Sequence, residues 1–202
     1  MPIEITRPTA PLPSAPAKLR ILETANVLFY DDGIRTVGVD RLISASSVTK
    51  ATFYKHYGSK DRLIAEYIGH RHRLTAEWLA DVIAGTDDPA RVLRALQDAI
   101  LGSISGPGFR GCPFLNAAAE FPDAAHPVRR AVENHREWYL DVYEQLLRRM
   151  EHPMPGDAAD DLMLARDGAM TGGYAGDPIA STAALSRVFD RVISEAHVSV
   201  NA

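Results

Sequence analysis

A single cysteine, Cys112, stands in the 202 residues of this chain. An internal disulfide is thereby excluded, as is a site built from several thiolates, and both exclusions fit a reducing compartment. No run approaches the roughly 18 apolar residues that suggest a bilayer span. Prolines occupy the start of the chain, where a secretory signal would carry its apolar core, so the expectation is a cytoplasmic protein with no membrane partner. Also missing are the alternating segments and turn dipeptides of β-hairpins, a repeat at a solenoid period, a glycine-rich phosphate loop, a nucleophile elbow and a His-Glu-x-x-His helix. His70 and His72 are two apart, a spacing that points them to different sides of a helix. These absences argue against an enzyme, a cofactor or a metal site.

What is present is enough apolar material for a core, 46% of residues, and an uneven charge. The net charge of −4 hides a basic start and an acidic remainder. Residues 1–73 carry 11 Lys and Arg against 7 Asp and Glu, a balance of +4, whereas residues 74–202 carry 11 against 19, or −8. The basic excess is modest, and it fits either a surface that faces a polyanion or ordinary solvated faces.

Five prolines (Pro2, Pro8, Pro11, Pro13, Pro16) fall in the first 16 residues, which rules out a helix or a central strand there and predicts a disordered tail. From Ala17 the pattern becomes helical, with Ile21, Leu22, Ala25, Leu28 and Phe29 on one stripe and Gly33 as a C-terminal cap. A second helix is predicted from Val39 to Ala45 with Gly38 at its N-cap, a third after Thr49 and a fourth after Ser59 that continues to about Ala84. Helical stripes recur at roughly 89–104, 112–121, 127–151, 157–174 and 179–198, so the chain reads as all-α with about nine helices.

The stretch Ser46 to Ile64, SSVTKATFYKHYGSKDRLI, carries the most chemistry. At helical spacing Phe53 and Tyr57 share a stripe that can point inward, which leaves Lys50, Tyr54 and Lys55 outward. Two ammonium groups and a phenol suit phosphate, which is contacted mostly by Lys, Arg, hydroxyls and helix N-termini.

These residues resemble the TetR/AcrR family of one-component transcriptional regulators across residues 19–68. The family's first helix has Leu-Phe near its end and then a glycine, as in Leu28, Phe29 and Gly33. Its Thr/Ser-x-Val-x-x-Ile pattern is similar to Val39 and Leu42, and its Val-Ser-Lys-Gly-Thr-Leu-Tyr-x-His-Phe segment is similar to Val48 through Tyr57. Ser59, Lys60, Asp61 and Leu63 match the start of its fourth helix. Two positions depart from the pattern: Ser47 stands where the family has its turn glycine, and Gly38 replaces a capping hydroxyl. Further on, Gly111, Cys112, Asn116 and Glu120 resemble a Gly-Cys-x-x-x-Asn-x-x-x-Glu segment in the effector domains of some members.

Beyond the proline-rich tail at 1–16, the resemblance implies a helix-turn-helix DNA-binding domain at 17–62 and an effector-binding and dimerisation domain at 63–202. It implies a homodimer formed through the last two helices, a palindromic double-stranded DNA operator, and release by a small-molecule effector, which together describe a repressor. By position in such a motif, Thr49, Lys50, Ala51, Thr52 and Tyr54 are the base readers. Tyr54, Lys55, His56 and Lys60 are candidates for phosphate. For Tyr54 and His56 the competing reading is half-buried packing, and for the lysines plain solvated surface.

Candidate effector contacts are Trp78, Phe109, Phe114, Trp138, Tyr139 and Tyr143, which equally suit a core, together with Asn116 and Glu120 as polar groups that would orient a ligand. Cys112 has two readings, an inert core residue or a thiol sensor activated by the neighbouring Arg110. The rival reading of the whole chain is a helical enzyme or binding module without operator binding.

Overall fold

The structure, a computed structural model, describes residues 16–199, and side chains to Ala196. The predicted tail therefore lies outside the described residues, apart from Pro16. Among the described residues there are nine helices and no strand: α1 (Ala17–Asp32), α2 (Val39–Ala45), α3 (Lys50–Tyr57), α4 (Lys60–Ala84), α5 (Pro89–Ser105), α6 (Pro113–Glu120), α7 (Pro127–Arg149), α8 (Pro155–Ala175) and α9 (Pro178–Ser199). The all-α expectation is borne out. None of these helices is long and apolar enough to cross a membrane.

Local chemistry sets most of the boundaries. Five helices, α5 to α9, start on a proline, where the missing N–H is not needed and φ is already helical. Asp88 caps α5 by accepting from Ala90 N at 2.9 Å. Asp177 does the same for α9, accepting from Ile179 N at 2.8 Å. Gly33 ends α1 with φ of 89°, a region that a side chain rarely tolerates.

The chain divides into two compact units. One, the head, runs to Leu74 and also takes in Pro113–Glu133, so it contains α1 to α3, the start of α4, all of α6 and the first turns of α7. Its core is built by Ile21, Phe29, Leu42, Phe53, Leu63 and Tyr67, each at most 3% exposed. The other, the body, contains Thr75–Cys112 and the chain from Asn134 onward. Here α8 packs along α9 and both pack on α5. A Cβ on Gly173 would lie 2.6 Å from Ile104 Cγ2, so the absence of a side chain on α8 is what lets it approach α5 this closely.

Candidate nucleic-acid interface and effector site

Thr49 starts α3. Its Oγ1 accepts from Thr52 N at 3.1 Å and lies 2.8 Å from Thr52 Oγ1, so the two hydroxyls share one capping arrangement. From that start the helix has two distinct faces. Phe53 is fully buried and Tyr57 is 5% exposed, and the Tyr57 hydroxyl donates to Lys18 O at 2.9 Å, which ties α3 to α1. Lys50, Ala51, Tyr54, Lys55 and His56 are exposed. Tyr54 is 43% exposed and packs its ring edge-on against Phe53. Thr52 is half-buried.

The turn before α3 carries strain that its neighbours offset. Ser47 has φ of 52°, a left-handed conformation that costs roughly 1–2 kcal/mol in a residue with a Cβ. Arg20 of α1 reaches across to this turn, its Nε donating to Ser46 O at 3.2 Å and its Nη2 to Ser47 O at 3.4 Å. The Ser46 hydroxyl, buried, donates to Leu42 O at 2.6 Å. Sequence reasoning missed Arg20 because its partners lie 26 and 27 residues away.

Lys60 is not placed as expected. Its Nζ donates to Ile34 O at 2.6 Å and sits 5.9 Å from the centre of the Phe29 ring, so in this structure its ammonium is engaged within the head. Burial lowers its pKa, while Glu120 and Asp61 pull the other way. Glu120, expected among the ligand contacts, is likewise committed elsewhere. Its two carboxylate oxygens accept from Ile34 N at 2.8 Å and Arg35 N at 2.7 Å, in the turn between α1 and α2. Asn116 is exposed on α6, and Phe114 is buried in the head.

In the body the remaining candidates separate into two groups. Tyr139, Tyr143 and Trp138 follow one another along α7, with ring centres 5.0 Å apart for Trp138 and Tyr139 and 5.7 Å for Tyr139 and Tyr143. Trp78 and Phe109 are half-buried.

Cys112 is 2% exposed, and the cation at its sulfur is Arg166, whose Nη2 donates to Sγ at 3.7 Å. Arg110, the expected activator, lies instead over the Tyr174 ring at 5.5 Å. The Arg166 guanidinium also stacks on Tyr139 at 4.6 Å and pairs with Asp167 at 2.9 Å. Asp167 in turn is bridged by Arg136. Arg166 Nε and the Tyr143 hydroxyl are buried with no hydrogen-bond partner among the described residues. Burial drives the Tyr143 and Tyr139 hydroxyls toward their neutral forms.

A short helix that is capped by a threonine, anchored through two aromatic rings and exposes lysines and a phenol beyond a two-helix turn defines a helix-turn-helix regulator. Comparison with known proteins agrees along most of the chain. Residues 21–67 match the family described as bacterial regulatory proteins, tetR family, and residues 89–152 match the tetracyclin repressor-like C-terminal domain. A TetR-family transcriptional regulator from Streptomyces coelicolor is 38% identical, with a TM-score of 0.84 over 89% of this chain and 95% of that one. A structure from Streptomyces avermitilis is 26% identical, with a TM-score of 0.75 over 88% of this chain and 98% of its own. The HTH-type transcriptional regulator LmrA of Bacillus subtilis is 29% identical over 64% of this chain and 70% of that protein. The chain belongs to the TetR family of DNA-binding transcriptional regulators.

Proposed function

We propose that this regulator is a cytoplasmic repressor that binds a near-palindromic operator as a homodimer and is released by a small molecule. The observation that carries the DNA contact is the outer face of α3. In this reading Thr49, Lys50, Ala51, Thr52 and Tyr54 meet base edges, and Tyr54, Lys55 and His56 meet phosphates. Two such helices enter successive major grooves about 34 Å apart. The body, with 9 Lys and Arg against 16 Asp and Glu over residues 75–112 and 134–202, is acidic and helps turn the basic head toward the duplex.

The dimer is supported by what α8 and α9 leave uncovered. Leu164 is 68% exposed and Ile179 is 82% exposed. Beside them runs an apolar groove lined by small side chains, including Gly168, Ala169, Ala180 and Ala184. Exposed apolar side chains around a groove of small residues suit close packing against a second copy.

The effector site is supported by the aromatic row of α7 with Arg166 and Cys112. Two buried donors without partners there, Arg166 Nε and the Tyr143 hydroxyl, are the kind of groups that a bound ligand satisfies. Effector binding would favour a head arrangement that fits DNA less well, and by linkage operator DNA would weaken effector binding by the same factor.

A salt titration tests the central claim. The full-length protein is used to select a duplex from a random-sequence library, and its affinity is then measured between about 50 and 200 mM salt. An operator binder loses affinity steeply, with a log-log slope of about −0.9 per phosphate neutralised. A flat profile, or no duplex enriched over the starting library, rejects the reading.

A further inference from the structure

An acidic side chain in the last turn of a helix opposes the helix dipole, which is negative at that end. Glu120 is the last residue of α6, so its placement calls for a compensating partner. It has two: the N–H groups of Ile34 and Arg35, at 2.8 and 2.7 Å, one on each carboxylate oxygen. The Ile34 carbonyl is held from another element, by Lys60 Nζ of α4 at 2.6 Å. The peptide groups on either side of Ile34 are therefore gripped by an anion and a cation, each from a different helix. Around this grip, the Ile34 side chain is 2% exposed and Val37 is fully buried, and the Arg35 guanidinium lies over the ring of Phe121, the residue after Glu120, at 5.7 Å.

We propose that Glu120 is a positioning residue for operator recognition: its carboxylate, opposed by the Lys60 ammonium, holds the α1–α2 turn in the form that aims the helix-turn-helix at base edges. The turn 33–38 joins α1 to α2, and α2 with α3 forms the reading unit, so the direction of α3 depends on the path the chain takes there. Two side-chain groups, one of each sign, fix that path by hydrogen bonds to its backbone around Ile34. Charge-assisted hydrogen bonds to backbone are among the stronger ones. The eight-residue helix α6, which lies within the segment that resembles an effector-domain motif, thus belongs, through its last side chain, to the DNA-reading machinery.

Specific and non-specific binding respond differently to a misaimed head. Non-specific affinity comes from phosphate electrostatics and tolerates small errors of orientation, whereas base readout does not. Glu120→Gln keeps the length of the side chain, removes its charge and replaces one acceptor by an NH2 that faces an N–H. For the full-length protein we expect affinity for a library-selected duplex to fall about tenfold, the size of one lost charge-assisted bond. Affinity for a scrambled duplex of equal length, the salt slope on the selected duplex and the circular-dichroism helix signal should stay as they were.

Lys60→Met is expected to give the same pattern, and the double variant no more than the larger single effect. Loss on both duplexes alike, or no loss on either, overturns the proposal. So does a salt slope that drops by about 0.9 in Lys60→Met, which would put that ammonium on a phosphate. Should Glu120→Gln fail to fold, Lys60→Met carries the same readings alone.

Discussion

The outer face of α3 and the outer faces of α8 and α9 are both exposed, yet they are built from opposite materials. On α3 the exposed side chains are Lys50, Tyr54, Lys55 and His56 over a buried Phe53 and Tyr57. On α8 and α9 they include Leu164, Tyr174 and Ile179 beside small residues. A face of cations and hydroxyls gains little from apolar contact and much from phosphate. A face of leucine, isoleucine and alanine gains little from phosphate and most from another such face. The contrast fits the proposed partners: a polyanion for one face, a second copy for the other.

The strongest way to break that contrast is to give the second face the chemistry of charge. In a two-fold homodimer each substitution on the shared face enters the interface twice, and charges buried or brought together at an interface cost several kcal/mol. The double variant Leu164→Glu, Ile179→Glu should therefore sediment as a monomer while keeping its helix signal. Its affinity for a selected palindromic duplex should fall by about a hundredfold, the equivalent of roughly 3 kcal/mol, because the two half-sites are no longer bound together. A variant that remains dimeric in sedimentation removes α8 and α9 from the interface.

A smaller effect is expected on the first face. Lys50→Ala and Tyr54→Ala each delete one contact, worth about 1–3 kcal/mol if it reaches a base edge. Operator affinity should drop about tenfold or somewhat more in each, with dimerisation and thermal melting unchanged. The two readings of Lys50 separate in the salt titration. A base contact relaxes sequence preference at one position, and a phosphate contact lowers the slope by about one instead. Unaltered gel-shift affinity in both variants would remove these side chains from the interface.

Sequence pattern alone located the helices well and their long-range partners poorly, for a physical reason. Caps, stripes and left-handed glycines act over a few residues. Thr49 at the start of α3, Gly33 after α1 and Gly38 before α2 were therefore readable, and so was the division of α3 into an inner and an outer face. Glu120 reads as a ligand contact through the resemblance of Gly111, Cys112, Asn116 and Glu120 to an effector-domain segment of the family. Its partners are 85 and 86 residues away, and no local pattern encodes them. Lys60 reads as a phosphate contact because it stands at the start of α4, where the helix N-terminus also favours an anion, while in the structure its ammonium donates to the Ile34 carbonyl and lies near the Phe29 ring. Arg166 left no signal of its own, since its link to Cys112 spans 54 residues. An arginine buried in a helical body is visible only once the fold brings a thiol and an aromatic ring to it.

The smallest effect concerns the inner face of α3, whose anchor sets how firmly the outer face is held. Tyr57 is buried and donates to Lys18 O at 2.9 Å, and burial, with Glu66 nearby, pushes its pKa from 10.0 up to about 12. A phenol whose folded pKa is raised supports the fold fully below the unfolded value, and that support is lost as pH climbs through the folded value. The window is therefore about pH 10 to 12.

Tyr57→Phe removes the hydrogen bond but keeps the ring, so near pH 8 it should cost about 1 kcal/mol. Above pH 10 the wild type alone carries the penalty of keeping this phenol neutral, so the gap between the two melting curves should close soon after pH 10 and change sign toward pH 12. Tyr139 and Tyr143 of the body are also pushed up by burial, but they are common to both proteins and cancel in the difference. Melting temperatures that run parallel from pH 8 to 12 would show that Tyr57 ionises no later in the folded head than in the unfolded chain, and its hydroxyl would then lose its place as the anchor of α3.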